Sequence, residues 1–290
     1  GYDIWGYKAG MDYYGWERLG SYDEVVIFND SIFGPVYPFH TMFDAMRKRE
    51  TDFWGITKHT RMEGNAFNDA YDHIPEHVQS YFMVFRRSMV SSRAFREYWN
   101  NLMPIRDYKD AVGKHEILFT QKMEKAGFTW SVYMDQKELY DINAHPAIAL
   151  ADVLLREYHC PIVKKRLFFQ DYNWTLHTNA GLAAMKAMDY LKTETDYPSD
   201  YVLDALIDHK NLRELEWNFH WNYIVGESKE NPSEEVGEAE KKYIRLRQIW
   251  GKLENDPRER EKRNIIDASL SDDSAERTRK INQLFKDNSG

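Results

Sequence analysis

Apolar runs alternate with amphipathic segments along roughly the first 130 residues. Apolar stretches of strand length occupy residues 22–30, 52–57, 80–85 and 128–134. Between them, large apolar residues recur every three or four positions, as in a helix with one buried face; these segments are residues 39–46, 91–102 and 114–127. The second begins with serines suited to capping, and the third ends at a glycine. The alternation predicts an α/β fold whose site lies at the carboxyl ends of strands.

The remaining segments differ in character. Residues 58–77 are polar and interrupted by Gly and Pro, which predicts a long loop. Helical patterns dominate after residue 146, and the predicted helices are residues 147–158, 180–193 and 200–212. Residues 228–238 are typical of a linker, residues 236–253 form an amphipathic seam, and the chain from 256 onward is dense in charge. We therefore expect a core over residues 1–170, a helical subdomain over 171–227, and a linker with a charged helical tail over 228–290.

Composition narrows the function classes. The net charge of −8 and the pI near 5.7 argue against a nucleic-acid partner held by phosphate neutralisation. The single cysteine, Cys160, excludes an internal disulfide and fits a reducing compartment, so we expect a cytoplasmic protein. No apolar run approaches the roughly 20 residues of a membrane span. The chain opens without Met, from which we expect it to be a piece of a longer protein.

Three small polar residues, Asn29, Asp30 and Ser31, follow the apolar run 25–27. One interpretation is a turn, because these side chains bond neighbouring backbone and Gly34-Pro35 comes shortly after. The other is that Asp30, at the carboxyl end of a strand, holds a divalent cation that neutralises a sugar-linked diphosphate. Because Mg²⁺ keeps several waters, one protein carboxylate can suffice for such a site.

Several motifs appear together and in order over residues 1–170, namely GYDIWGYKAG, YDEVVIFNDSIFGPVYPF, DFWGIT, HVQSYFMVFRRSMVSSRAFREYWNN and KHEILFTQKMEKAGF. With them the chain resembles the rhamnan synthesis protein F family of bacterial glycosyltransferases. The resemblance implies a GT-A-like, Rossmann-related mixed sheet with flanking helices, followed by a helical C-terminal extension. It further implies transfer of L-rhamnose from dTDP-rhamnose to a polysaccharide or lipid-linked glycan, with possible donors including other nucleotide sugars such as a UDP-hexose.

The resemblance also suggests site residues. Asn29 and Asp30 stand where related enzymes carry a metal-binding Asp-x-Asp, so Mg²⁺ or Mn²⁺ is the expected cofactor, although Asn replaces one carboxylate. An inverting transfer needs a base for the acceptor hydroxyl. The resemblance gives that role to Glu116, with its neighbour His115 as substitute. The alternative is that Glu116 opens a helix and only favours its positive end, an effect of roughly 0.3–1 kcal/mol.

Other candidates have simpler alternatives. Asp3 and Lys8 could contact the sugar and phosphates of the donor, or form a surface ion pair. Lys164 and Lys165 could clamp a diphosphate, or end a solvated strand. His73 and His77 have the spacing of a helical metal pair, but Pro75 between them argues against a helix.

A GT-A fold normally begins with a unit that grips the nucleotide, and we expect this chain to be the later part of such an enzyme. The alternative from another class is a catalytically silent module that binds glycan or serves assembly. In a transferase, we expect any contact with a membrane to be peripheral and to occur through the acceptor.

Overall fold

The computed structural model describes residues 3–169, 180–202 and 205, which fall into two units, residues 1–164 and 165–290. Most of the predicted helix 200–212 lies outside the described residues. The predicted linker, the amphipathic seam 236–253 and the charged tail also lie outside them.

The first unit is built on a four-stranded mixed sheet of β1 (Glu24–Phe28), β3 (Phe53–Gly55), β8 (Phe82–Arg86) and β9 (Trp130–Val132). The order of these strands in the sheet is β1-β8-β3-β9. Strand β8 is antiparallel to both β1 and β3, whereas β3 and β9 are parallel. Three of these strands fall within the predicted apolar runs, and β8 extends its run 80–85 by one residue, Arg86, so the mixed α/β class with flanking helices is confirmed.

Helices cover both faces of this sheet, because its central strands are apolar on both sides. Phe53 and Trp54 are adjacent on β3, point to opposite faces and are both fully buried. Phe53 belongs to a core with α1 (Asp3–Tyr14), α2 (Trp16–Leu19), α4 (Arg87–Val90), α5 (Arg93–Asn100) and α7 (Ile117–Lys125). Trp54 belongs to a core with α3 (Phe39–Arg47), α8 (Lys137–Ile142), α9 (Pro146–Ala149) and α10 (Ala151–Arg156).

The predicted start and stop signals of two helices are present in the structure, while a third predicted helix is divided in two. The Ser92 hydroxyl accepts a hydrogen bond from the Phe95 amide at 3.1 Å and caps α5. Gly127 has φ of +93° just beyond α7, a conformation that favours glycine. The predicted helix 147–158 is divided at Leu150, whose φ of −128° separates α9 from α10.

The segment 58–77, predicted as a long loop, instead contains two short antiparallel strand pairs, so that prediction is wrong. We call residues 58–78 the arm. Strand β4 (Lys58–His59) pairs with β7 (His77–Val78), and β5 (Met62–Glu63) pairs with β6 (His73–Ile74). The Asn65 side chain organises the turn, because its Oδ1 accepts hydrogen bonds from the amides of Phe67 and Asn68. Ladders of two residues carry too few apolar positions to show in the sequence pattern.

Glu116 does not open a helix, which corrects a second expectation. Helix α6 (Tyr108–Ala111), a π-helical turn (Val112–Glu116) and α7 follow one another directly. Asp107 caps the start of this run by accepting from the Asp110 amide at 2.7 Å. Glu116 therefore lies mid-run, with φ of −54° and ψ of −56°, away from the free amides of a helix end.

A further pair joins β2 (Ile32–Phe33) to β10 (Val163–Lys164) at the end of the first unit. The second unit contains α11 (Lys165–Phe169) and α12 (Ala180–Thr193) among its described residues, and these two helices contact each other. In α12 the side chains of Ala183, Ala184, Ala187 and Leu191 are buried, which confirms the predicted helical period.

Candidate active site

Three polar segments meet at one edge of the sheet. Phe28, the last residue of β1, is opposite Phe82, the first of β8, and Gly55 at the end of β3 is opposite Met83. The residues that follow β1 and β3 therefore lie beside those that precede β8. This edge is the predicted location, at the carboxyl ends of β1 and β3.

Asn29 is the centre of a hydrogen-bond network at this edge. Its Nδ2 donates to Asp3 Oδ2 at 2.7 Å, which ties the start of α1 to the end of β1. Its Oδ1 accepts from the Ser31 amide at 3.1 Å and from the Ser31 hydroxyl at 2.6 Å. The predicted turn is therefore present, and it leaves the Asp30 side chain exposed.

The Tyr7 hydroxyl lies within electrostatic reach of three carboxylates. Burial raises the pKa of Tyr7, and the negative charges of Asp3, Glu116 and Asp30 raise it further, in that order. The hydroxyl is shielded from solvent and makes no well-formed hydrogen bond within the described part of the chain. Asp3, Asp30 and Glu116 come from α1, the β1 turn and the π-helical turn, so the fold gathers acids that are distant in sequence.

Lys164 brings positive charge to the same edge. Its Nζ lies 3.4 Å from the Ser31 hydroxyl and 3.9 Å from the centre of the Tyr81 ring. The pairing of Lys164 with Ile32 across the β10–β2 ladder places it there. Since Ser31 bonds Asn29, a cation stands close to the turn that carries Asp30.

Glu116 is half-buried. Its negative charge raises the pKa of both His59 and His77, against the larger lowering effect of burial. Within the described residues its carboxylate has no ion pair and no hydrogen bond from a side chain. A carboxylate side chain without a fixed partner is available to act as a base toward a bound ligand.

Two residues of this edge, His59 and His145, have no signal of their own in the sequence, and the sequence suggests His77 only as half of a helical metal pair. His59 and His77 face each other across the β4–β7 ladder. Gln79 Nε2 lies 3.3 Å from His145 Nε2. Only the pairing of β4 with β7 brings the two histidines together, and the segment that contains them was predicted as a loop.

The other predicted site residues, His115, Lys8 and Lys165, have different surroundings. His115 is buried between α5 and α7, where Nδ1 lies 3.3 Å from the Tyr98 hydroxyl and Nε2 lies 3.1 Å from the Met103 carbonyl. It lines a separate cavity of about 190 Å³ with Tyr98, Asn101, Leu102, Met103 and Lys122. Lys8 forms an ion pair with Asp12 at 2.6 Å, whereas Asp3 accepts the hydrogen bond from Asn29. Lys165 begins α11, in the second unit.

The donor set limits how a metal could be held. Residues 3–169, 180–202 and 205 contain no group of three or more His, Cys, Asp or Glu side chains arranged to hold one. His73 is on β6 beside Asp72, whereas His77 is on β7, so they do not form the helical pair. The Asp30 carboxylate is nonetheless exposed, and Mg²⁺ accepts one or two carboxylates completed by phosphate oxygens and water.

Fold and site define an α/β protein with an acidic sheet edge and one adjacent lysine. The family model "Rhamnan synthesis protein F" matches residues 1–251, beyond the stretch over which the motifs resemble that family. The chain belongs to the rhamnan synthesis protein F family. This membership links it to polysaccharide biosynthesis.

One curated relative is the uncharacterised protein y4gN of Sinorhizobium fredii (strain NBRC 101917 / NGR234), 27% identical over 128 residues. The match covers 44% of this chain and 31% of the relative, so the chain spans about a third of the length of that protein. No solved structure matches. Among the described residues, no helix has both the length and the apolar character that crossing a bilayer requires.

Proposed function

We propose that the chain is the later part of a GT-A-type glycosyltransferase that transfers L-rhamnose from dTDP-rhamnose to a polysaccharide or lipid-linked glycan acceptor. The single observation that carries the proposal is that the charges of Asp3, Asp30 and Glu116 all act on Tyr7 at the sheet edge where Lys164 lies 3.4 Å from the Ser31 hydroxyl. Family membership supports the sugar chemistry. The mixed sheet with β8 antiparallel between β1 and β3 supports the fold.

The donor half of the site is the turn at Asn29–Ser31. Asp30 would hold Mg²⁺ or Mn²⁺ there, and the bound cation would supply charge neutralisation for the diphosphate leaving group. Asn29, in place of a second acid, fixes the turn through Asp3 and Ser31. Lys164 places a cation 3.4 Å from Ser31, where it can meet a phosphate oxygen.

The acceptor half includes Glu116. In an inverting transfer the acceptor hydroxyl attacks the anomeric carbon and loses its proton to a base. Glu116 is favoured over His115, because its carboxylate acts on Tyr7, His59 and His77 at the site. The His115 ring nitrogens instead contact groups away from this site, Nδ1 the Tyr98 hydroxyl and Nε2 the Met103 carbonyl. The reaction would take place in the cytoplasm, in agreement with the single, buried cysteine.

Calorimetric titration of the complete polypeptide with dTDP-rhamnose tests the proposal. We expect binding that requires Mn²⁺ or Mg²⁺ and that Asp30→Asn weakens, while the exposed Asp44→Asn leaves it unchanged. Stronger binding of a UDP-hexose would reassign the donor. The absence of nucleotide-sugar binding, with retained binding of a rhamnose oligosaccharide, would favour a glycan-binding module.

A further inference from the structure

Three imidazole rings lie beside the carboxylates and have no role in the transfer step described above. The His59 and His77 rings are stacked, with centroids 5.4 Å apart and planes 6° apart. The His145 ring stands edge-on to His59, with centroids 5.8 Å apart. The cluster adjoins Glu116, whose charge acts on His59 and His77.

The backbone fixes which nitrogen carries the proton in the stacked pair. His59 Nδ1 lies 2.6 Å from the Thr60 carbonyl, and His77 Nδ1 lies 2.7 Å from the Pro75 carbonyl. Because a carbonyl oxygen can only accept, Nδ1 is the donor in both rings. In the neutral rings each Nε2 is then a hydrogen-bond acceptor, and neither has a partner among the described residues.

The surroundings keep these rings neutral. Burial is the largest cause that lowers the pKa of both His59 and His77, and the neighbouring ring lowers that of His59 as well. The carboxylate of Glu116, with Glu76 for His77, acts in the opposite direction but does not outweigh burial. Burial also lowers the pKa of His145 to about 3, and the neighbouring His59, Lys164 and His77 lower it further.

A buried frame holds the cluster rigidly. Tyr81 and Thr57 are buried, and their hydroxyls lie 2.6 Å apart. The Thr57 hydroxyl also contacts Gln79 Oε1, which orients the Gln79 amide to donate to His145 Nε2. His145 Nδ1 must then carry the proton, and it is a buried donor that lacks an acceptor in the described part of the chain. Polar groups packed in this way are organised before a ligand arrives.

We propose that His59 and His77 bind the acceptor sugar by accepting hydrogen bonds from its hydroxyl groups through their Nε2 atoms. The inference rests on the proposed function and adds the subsite that receives the acceptor. A neutral imidazole nitrogen can accept a hydrogen bond from a sugar hydroxyl. An ionised phosphate oxygen has no proton to donate, so its lone pairs would repel those of the nitrogen. The two stacked rings, with centroids 5.4 Å apart, bring two such acceptors into one cluster.

Paired variants of His59 in the complete protein test this subsite, because His59 is only half-buried. His59→Asn keeps a donor within reach of the Thr60 carbonyl but removes the Nε2 acceptor. His59→Gln places an amide near the Nε2 position. His73, on β6 beside Asp72, provides the matched control His73→Asn. The probes are a rhamnose disaccharide for the acceptor and dTDP-rhamnose for the donor.

The disaccharide should shift the nitrogen-15 resonances of His59 Nε2 and His77 Nε2 in the wild-type protein. We expect His59→Asn to raise the disaccharide Kd about tenfold, the cost of one hydrogen bond, with His59→Gln in between. The donor Kd should be unchanged in both, and His73→Asn should match wild type. Unshifted resonances, an unchanged disaccharide Kd in His59→Asn, or an equal loss of donor affinity would overturn the inference.

The same measurements separate this inference from the proposed function. Sugar-induced shifts of the His59 and His77 resonances without any dTDP-rhamnose binding would refute the transferase and retain a sugar subsite. Donor binding without such shifts would refute the subsite and retain the transferase.

Discussion

Replacing Glu116 with Gln should separate catalysis from binding and folding. The substitution keeps the side-chain shape and removes only the ability to take up a proton. Loss of a general base lowers turnover by roughly 10²–10⁴-fold, or about 3–5 kcal/mol of barrier. Because donor binding precedes the proton transfer, the Kd for dTDP-rhamnose should change less than about twofold.

The structure also sets the expected stability of Glu116→Gln. Glu116 is half-buried in mid-helix, is not at a helix N-terminus, and has no ion pair among the described residues. Glu and Gln have nearly equal helix propensities, so the free energy of unfolding should change by less than about 0.5 kcal/mol.

The assay is acceptor-dependent release of nucleotide, with calorimetry for the donor and urea unfolding for stability. Glu97→Gln is the control, because Glu97 is an exposed glutamate on α5 that pairs with Arg93. Turnover of Glu116→Gln within a few-fold of wild type would refute the assignment and direct attention to His115. A large loss of stability with normal turnover would show a structural role instead.

Three further predictions concern the positive charge of Lys164, the close packing at Gly113 and the pH dependence of stability at His145. Lys164→Met should raise the dTDP-rhamnose Kd about tenfold in calorimetry, because it removes the cation near Ser31 but keeps the apolar stem over Tyr81; an unchanged Kd would exclude a phosphate contact. Gly113→Ala should destabilise the protein by about 1–3 kcal/mol in urea, because the new Cβ would lie 2.2 Å from the Phe67 carbonyl oxygen; wild-type stability would contradict that contact. The pKa of His145 is about 3 in the folded protein, below its value near 6.5 in the unfolded chain. The contribution of neutral His145 to the free energy of unfolding should therefore be complete above about pH 6.5 and should fall towards pH 3 by up to about 1.4 kcal/mol per pH unit. His145→Asn should reduce the slope of stability against pH by the amount due to one proton, and an unchanged slope would show that another group titrates.

Much of the fold was predictable, because long apolar runs and helical periods are local signals. The Ser92 cap and the Gly127 stop show in the sequence as well as in the structure. The arm over residues 58–78 was not predictable, since its two-residue strands are held by cross-strand bonds and turn chemistry at Asn65. The π-helical turn before α7 has no sequence signal of its own, so Glu116 was placed at a helix start.

The site residues likewise divide into those that a local sequence pattern predicts and those that only contacts between distant segments bring together. Asn29 and Asp30 were predictable because a polar triplet follows directly after an apolar strand. Lys8 could have been recognised as a partner of Asp12, since the two residues are four positions apart on one helix. The meeting of His59, His77 and His145 depends on the β4–β7 pairing and on α9, and no local pattern encodes contacts between such distant residues.

The central claim is sugar transfer at the sheet edge that carries Asp30 and Glu116. Its most direct test is nucleotide release from dTDP-rhamnose by the complete polypeptide, with and without a rhamnan acceptor and Mn²⁺. We predict release that requires both additions and that is lost in Asp30→Asn. Binding of the acceptor without any nucleotide release, under conditions in which dTDP-rhamnose and Mn²⁺ are saturating, would contradict it.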